Sequence, residues 1–209
     1  MARQPSRFDR PKPRFKPQAR VLVLCEDKKS SLTYLKEAAH HFRSQAEVEI
    51  VHCERNDPLS IVKEAMKRQN SFDTVYCAID RDQHETFDAA LVLAAENSEK
   101  VVIIASYPCY EYWLLLHFQK TRKPYASVGN HSSCDLLAKD LRKKEGMSNY
   151  DKGTSVNLFD ALIKKLPDAR KRAEEVLSDA VKDNELNPST RLHELIERFE
   201  QLGTLQLLA

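Results

Sequence analysis

The stretch Asp73-Thr-Val-Tyr-Cys-Ala-Ile-Asp-Arg-Asp-Gln-His84 decides the fold. Its apolar run, Val75 to Ile79, is short, rich in β-favouring residues and bounded by polar ones, the pattern of a strand buried on both faces of a parallel sheet. The run ends on Asp80 and, two residues later, Asp82. In open α/β sheets ligands bind in the crevice past the carboxyl ends of the strands, so a pair of acids there is a candidate metal-binding edge. Side chains two apart on extended chain leave on the same side, and both carboxylates are therefore expected to face one ligand. Hard cations such as Mg²⁺ take oxygen ligands of this kind, with waters and phosphate completing the shell. The plainer alternative is a solvated Asp-rich turn.

Two more junctions repeat the pattern. Val21 to Cys25 ends on Glu26, and Val101 to Ala105 leads through Ser106-Tyr107-Pro108 into a helix that starts near Pro108 and carries Glu111. Parallel strands put their carboxyl ends along one edge, where Glu26, Asp80, Asp82 and Glu111 can converge. Four carboxylates in a partly dry crevice repel one another unless a cation or bound protons neutralise them. Between the strands lie helical patterns. Ser30 to Arg43 has Leu32, Leu35, Ala39 and Phe42 at helical spacing, with Ser30 or Ser31 as cap. Asp57-Pro58 is an N-cap followed by proline at the first helical position, and Phe87 to Asn97 forms a third helix. With a further strand, Val48 to His52, the β-α-β-α-β-α-β order predicts an α/β fold: a parallel sheet flanked by helices on both faces and joined by right-handed crossovers.

Glu111 shares a helix face with Leu114, Leu115 and Phe118, so it is expected to point inward, either as part of a site or as a cap on its own helix. Beyond Tyr125 no strand pattern recurs. Helices are predicted over Cys134 to Lys144, Val156 to Leu166, Asp168 to Lys182 and Thr190 to Leu202, a helical extension (123–209) packed on an α/β core (21–122). Its basic clusters, such as Lys139-Arg142-Lys143-Lys144, are candidates for phosphate contact or ordinary solvated faces.

Residues 1–20 are basic and proline-rich, with Arg14 and Arg20 among their cations against the single acid Asp9. Such a segment lacks the apolar residues to offset ordering entropy, and is expected to be a disordered arm suited to a phosphate backbone. The chain as a whole, 209 residues with 42% apolar, can bury one substantial core, and its net charge of +2 leaves partners undecided. No apolar run approaches 18 residues and no signal-peptide pattern opens the chain, so a cytoplasmic protein without membrane association is expected. Five cysteines, an odd number without metal-ligand spacing, are expected to be reduced core residues. Four glycines in all, with no G-x-G-x-x-G or P-loop, argue against a Gly-rich phosphate loop.

Glu26 after the first strand and Asp80-Arg81-Asp82 after the third resemble the Toprim arrangement of topoisomerases, primases and OLD-type nucleases. The ordered set Val23-Leu24-Cys25-Glu26, Asp80-Arg81-Asp82, Tyr107 to Phe118, Tyr150-Asp151-Lys152 and Asn187-Pro188-Ser189-Thr190-x-Leu192-His193 resembles the RloB-like, or AbiLii, family over about Val21 to Phe199. The resemblance implies a Toprim-like core in a bacterial phage-defence protein, encoded beside an ATPase partner. It implies Mg²⁺ or Mn²⁺ on Asp80 and Asp82, with Glu26 as a further ligand or as general acid or base. Glu111, Lys152 and His193 join Glu26 as candidate catalytic residues, and Lys28, Lys29, Arg14 and Arg20 are candidates for nucleic-acid contact. Two departures stand out: Asp27 occupies a position where the family has glycine, and adds either a ligand or a repulsion toward phosphate, and Ser30-Ser31 stand where the family has a Thr-Glu pair, which leaves one-metal chemistry open beside a two-metal mechanism. The expected activity is metal-dependent phosphodiester hydrolysis of DNA or RNA. The alternative is a catalytically silent nucleic-acid-binding or regulatory subunit of an ATPase-containing defence complex.

Overall fold

The computed structural model describes residues 19–42, 47–53, 57–82, 84–97, 99–151 and 157–204. Four strands, β1 (Arg20–Cys25), β2 (Glu47–His52), β3 (Thr74–Asp80) and β4 (Val101–Tyr107), are mutually parallel, as the alternation predicted. They lie in the order β2-β1-β3-β4, which leaves β1 and β3 covered on both sides. Apolar residues at alternate positions leave on opposite faces of the sheet. Leu22 and Leu24 of β1 join Val75, Cys77 and Ile79 of β3 under helices α2 (Pro58–Arg68) and α3 (Phe87–Asn97). Val21 and Val23 join Tyr76 and Ala78 under α1 (Ser30–His41) and α4 (Glu111–Leu116). Each fully buried Leu or Phe in these layers contributes about 1.5–3 kcal/mol.

The later helices, α5 (Ser133–Leu141), α6 (Leu158–Leu162), α7 (Leu166–Lys182) and α8 (Leu192–Thr204), share the second layer's core. Leu137, Phe159, Val176 and Leu195 belong to the same buried cluster as Tyr34 and Trp113. A fifth strand, β5 (Ser189–Thr190), corrects the expectation that this half carries none. It pairs antiparallel with the end of β4, Ser106 opposite Thr190 and Tyr107 opposite Ser189. Two residues are too few for any periodicity to announce them.

Helix starts follow local chemistry. Asp57 accepts from the Ser60 amide at 2.9 Å, the predicted cap of α2, and Ser132 with Asp135 closes a capping box on α5. At α1 the cap is neither Ser30 nor Ser31, both buried, but Asp27. One of its oxygens accepts from the Lys29 amide at 3.0 Å, the other from Ser30 at 2.6 Å and Ser31 at 2.9 Å. Asp27→Ala is expected to destabilise the fold by about 0.5–2 kcal/mol, the usual cost of a lost cap. Urea unfolding reads it; an unchanged midpoint at unchanged slope would show that the amides are satisfied without the carboxylate. All five cysteines are buried and unpaired, as expected. Among the described residues no helix is long and apolar enough to cross a membrane.

Candidate active site

The acids meet where β1 and β3 end. Beyond Cys25 the chain keeps the β3 ladder for one more bond, the Glu26 amide donating to the Ala78 carbonyl at 3.2 Å. This places the Glu26 side chain over the last residue of β3, and one of its oxygens accepts from the Asp80 amide at 2.9 Å. Its other oxygen lies 2.7 Å from Nε2 of His84. Glu26 thus ties the two strand ends together and holds an imidazole beside the site.

Asp80 ends the extended chain. Asp82 does not project beside it by strand geometry, as expected from sequence, because its φ is 26° and the backbone has turned out of the sheet. The turn is fixed from outside: the Arg81 amide donates to the Ser106 carbonyl at 2.8 Å and the Asp82 amide to Pro108 at 2.9 Å. Its carboxylate still borders the cleft, where it accepts from the Ser133 hydroxyl at 3.3 Å. Glu111, expected to point inward near the N-terminus of its helix, is the first residue of α4. It is 2% exposed, with one oxygen accepting from the Tyr150 hydroxyl at 3.1 Å.

A cleft of about 360 Å³ is lined by Glu26, Asp27, Asp80, Asp82 and Glu111, with Lys28 and Lys29 on the same wall and Tyr110 and Cys134 completing it. Burial first, then the charges of Glu26 and Glu111, push the Asp80 carboxyl well above the usual carboxylate range. Burial also raises Glu26, against the Asp80 amide and His84, which favour its anion. The Tyr110 hydroxyl is raised by its complete burial. Larger clefts lie elsewhere, about 620 Å³ between β2 and α2 and about 870 Å³ beside α7 and α8. The acidic cleft is singled out by its chemistry rather than its size.

Several residues chosen from sequence are not in this cleft. His193, in the first turn of α8, lines the cleft between α7 and α8, where burial lowers its pKa. Arg20 opens β1, so six residues of extended chain, roughly 20 Å, separate it from Glu26. Its guanidinium donates to the Ser71 carbonyl at 2.7 Å and stacks on Phe72. Both placements have one cause: sequence order fixes neither which end of a strand nor which side of a helix a residue occupies. Arg14 and Lys152 lie outside the described residues. Asp27 is drawn into the cap of α1, with both oxygens engaged by amides, so it is no uncommitted extra ligand.

Three residues of the site received no role from the sequence. His84 closes the decisive stretch, but its contact with Glu26 spans the sheet. Tyr150 stands two residues before Lys152, in the turn that was read for its lysine. Tyr110 sits in the aromatic run before α4 and looks like core.

Among the described residues no three His, Cys, Asp or Glu side chains are gathered tightly enough to form a ready ion cage. Mg²⁺ is usually bound through one or two carboxylates, with water and substrate phosphate filling the remaining positions. Hard carboxylate oxygens converging on one cleft, those of Asp80 among them, suit such a cation by donor chemistry.

No curated protein and no solved structure matches the chain. The family described as RloB-like protein matches residues 21–199, a span that contains every residue of the cleft. The chain belongs to the RloB-like family.

Proposed function

We propose that the protein is a Toprim-like, metal-dependent nuclease that hydrolyses phosphodiester bonds of DNA or RNA in bacterial phage defence, with a co-encoded ATPase as partner. The observation that carries this reading is the convergence of Glu26, Asp80, Asp82 and Glu111 on one cleft at the carboxyl edge of a parallel sheet, beside Lys28 and Lys29. Mg²⁺ or Mn²⁺ held by Asp80 and Asp82 would act as a Lewis acid on a phosphoryl oxygen. The chain's own groups do the rest. Lys28 and Lys29 attract the phosphate against the negative wall. Glu26, with a carboxyl that holds its proton above the ordinary range, is placed to move a proton at the attacking or leaving oxygen, and His84 orients it. Tyr150 fixes the Glu111 carboxylate, which acts on the site through its charge on Asp80.

A second reading, a silent subunit that binds nucleic acid or regulates the ATPase, has one observation in its favour. Both Glu26 oxygens already have partners, so this acid can serve the sheet edge alone. Incubating the chain, with and without the ATPase, with labelled single- and double-stranded DNA and RNA separates the two. Cleavage that appears with Mn²⁺ or Mg²⁺ and vanishes with EDTA is the expected result. Binding without cleavage under all these conditions moves the conclusion to the second reading.

A further inference from the structure

Tyr110 lies between β4 and α4 and lines both the acidic cleft and a smaller cavity of about 10 Å³ below it. It is 3% exposed, and its ring packs edge-on against Tyr34 at 6.0 Å, yet its hydroxyl meets no hydrogen-bond partner. A buried hydroxyl left unpaired is costly and rare enough to need a reason. The acceptors that line the same cleft are already served by other donors. Glu26 has the Asp80 amide and His84, Asp27 has three amides, and Glu111 has Tyr150.

We propose that the Tyr110 hydroxyl is a hydrogen-bond donor for a phosphate oxygen bound in the acidic cleft. This deepens the phosphodiesterase reading and rests on it. The argument is one of complementarity. An O–H without an acceptor calls for a ligand that brings one, and a cation brings none. Lys28 and Lys29 on the same wall supply the positive charge that lets an oxyanion approach carboxylates. The other ligand an O–H can serve is a single water, and the small cavity is just large enough for one. Phosphate and water make opposite predictions when the oxygen is removed.

Tyr110→Phe deletes that oxygen and little else. The probe is inorganic phosphate, titrated with Mg²⁺ present and followed by calorimetry, alongside the melting temperature without either ion. If the hydroxyl waits for phosphate, the ion-free variant melts at the wild-type temperature or above, because an unpaired buried group has gone. Its phosphate affinity falls about tenfold while Mg²⁺ affinity holds. A melting temperature lowered by several degrees with phosphate affinity unchanged would overturn the proposal in favour of an internal water. Loss of Mg²⁺ affinity would overturn it in favour of a cation contact, and so would a wild type that binds no phosphate. In wild-type protein with ¹³C-labelled tyrosine rings, the Tyr110 Cζ resonance should also move when phosphate is added; a resonance that stays in place counts against the contact even if the variant does not fold. Phosphate binding needs no turnover. A chain that binds phosphate through Tyr110 and cleaves nothing refutes the nuclease reading alone, whereas one that cleaves with phosphate affinity indifferent to Tyr110→Phe refutes this inference alone.

Discussion

Asp80→Asn is expected to raise the melting temperature of the metal-free protein at neutral pH and to abolish its stabilisation by Mg²⁺. Asp80 is the acid on which the strain of the cleft falls: half-buried at the end of β3, facing the charges of Glu26 and Glu111, with its carboxyl pushed well above its ordinary value of 3.8 by desolvation and those charges. The sign of the stability effect follows from linkage. Below about pH 3.8 the carboxyl is protonated in folded and unfolded chain alike, and stability is fully present. As pH rises toward and through the raised folded value, the unfolded chain has given up its proton while the folded one still holds it or must ionise against burial, so stability falls. Asn keeps the size and removes the charge, which relieves that loss at neutral pH. A cation relieves it in the wild type instead, and a ligand at 100 times its dissociation constant adds about 2.7 kcal/mol. The wild type should therefore melt higher with Mg²⁺ and the variant should not. Even outer partners of metal ligands cost roughly 10- to 100-fold in affinity when removed, and loss of the ligand itself should cost more. Thermal melts of both proteins, with and without Mg²⁺ between pH 4 and 8, give the answer. A variant that melts lower than wild type without metal and still gains from Mg²⁺ would mean that Asp80 is a structural acid.

The parts of this fold legible in the sequence are those whose information is local. β1, β3 and β4 are contiguous apolar runs because both faces of each are covered, and α3 runs from Phe87 to Asn97 in the structure as in the sequence pattern. Once those strands are parallel, their following acids must share an edge, which is why Glu26, Asp80, Asp82 and Glu111 could be gathered before any coordinates. What was illegible is set by contacts between distant residues or by backbone turns. The pairing of β5 with β4 joins Ser106 to Thr190 across 84 positions, through hydroxyls 3.1 Å apart. The left-handed turn at Asp82 depends on carbonyls of the β4 end, and the cap of α1 on an aspartate ahead of the obvious serines. His193 shows the limit of motif order, which says nothing of facing: α8 presents it to a cleft other than the acidic one. Tyr150 was passed over because a tyrosine in a polar turn carries no mark of a role, whereas a buried phenol can still donate its hydrogen bond to Glu111.

Glu26→Gln should lower metal-dependent cleavage by roughly 10²- to 10⁴-fold, about 3–5 kcal/mol of barrier, the usual worth of a positioned acid or base. The structure says what the substitution keeps. Glu26 is buried to 14% exposure between the Asp80 amide and His84, and Gln can still accept from that amide with its single oxygen. Its NH₂ then meets Nε2 of His84, which at 31% exposure can change tautomer with solvent to serve it. The tie between β1 and β3 survives, so the fold, Mg²⁺ binding through Asp80 and Asp82, and nucleic-acid affinity should all persist. What is lost is the ionisable group, whose pKa is raised by burial in spite of both partners. Removing one charge from the wall facing the phosphate should leave nucleic-acid binding unchanged or slightly tighter. Binding retained with cleavage lost is therefore the expected pattern, read by anisotropy and a gel-based cleavage assay on the same preparations. Equal cleavage by wild type and variant would remove Glu26 from proton transfer and leave it as the clasp between strand ends. Loss of both cleavage and metal binding would make Glu26 a ligand rather than the acid or base, because the amide side chain keeps every contact to the sheet but is a far poorer donor to a hard cation than the carboxylate.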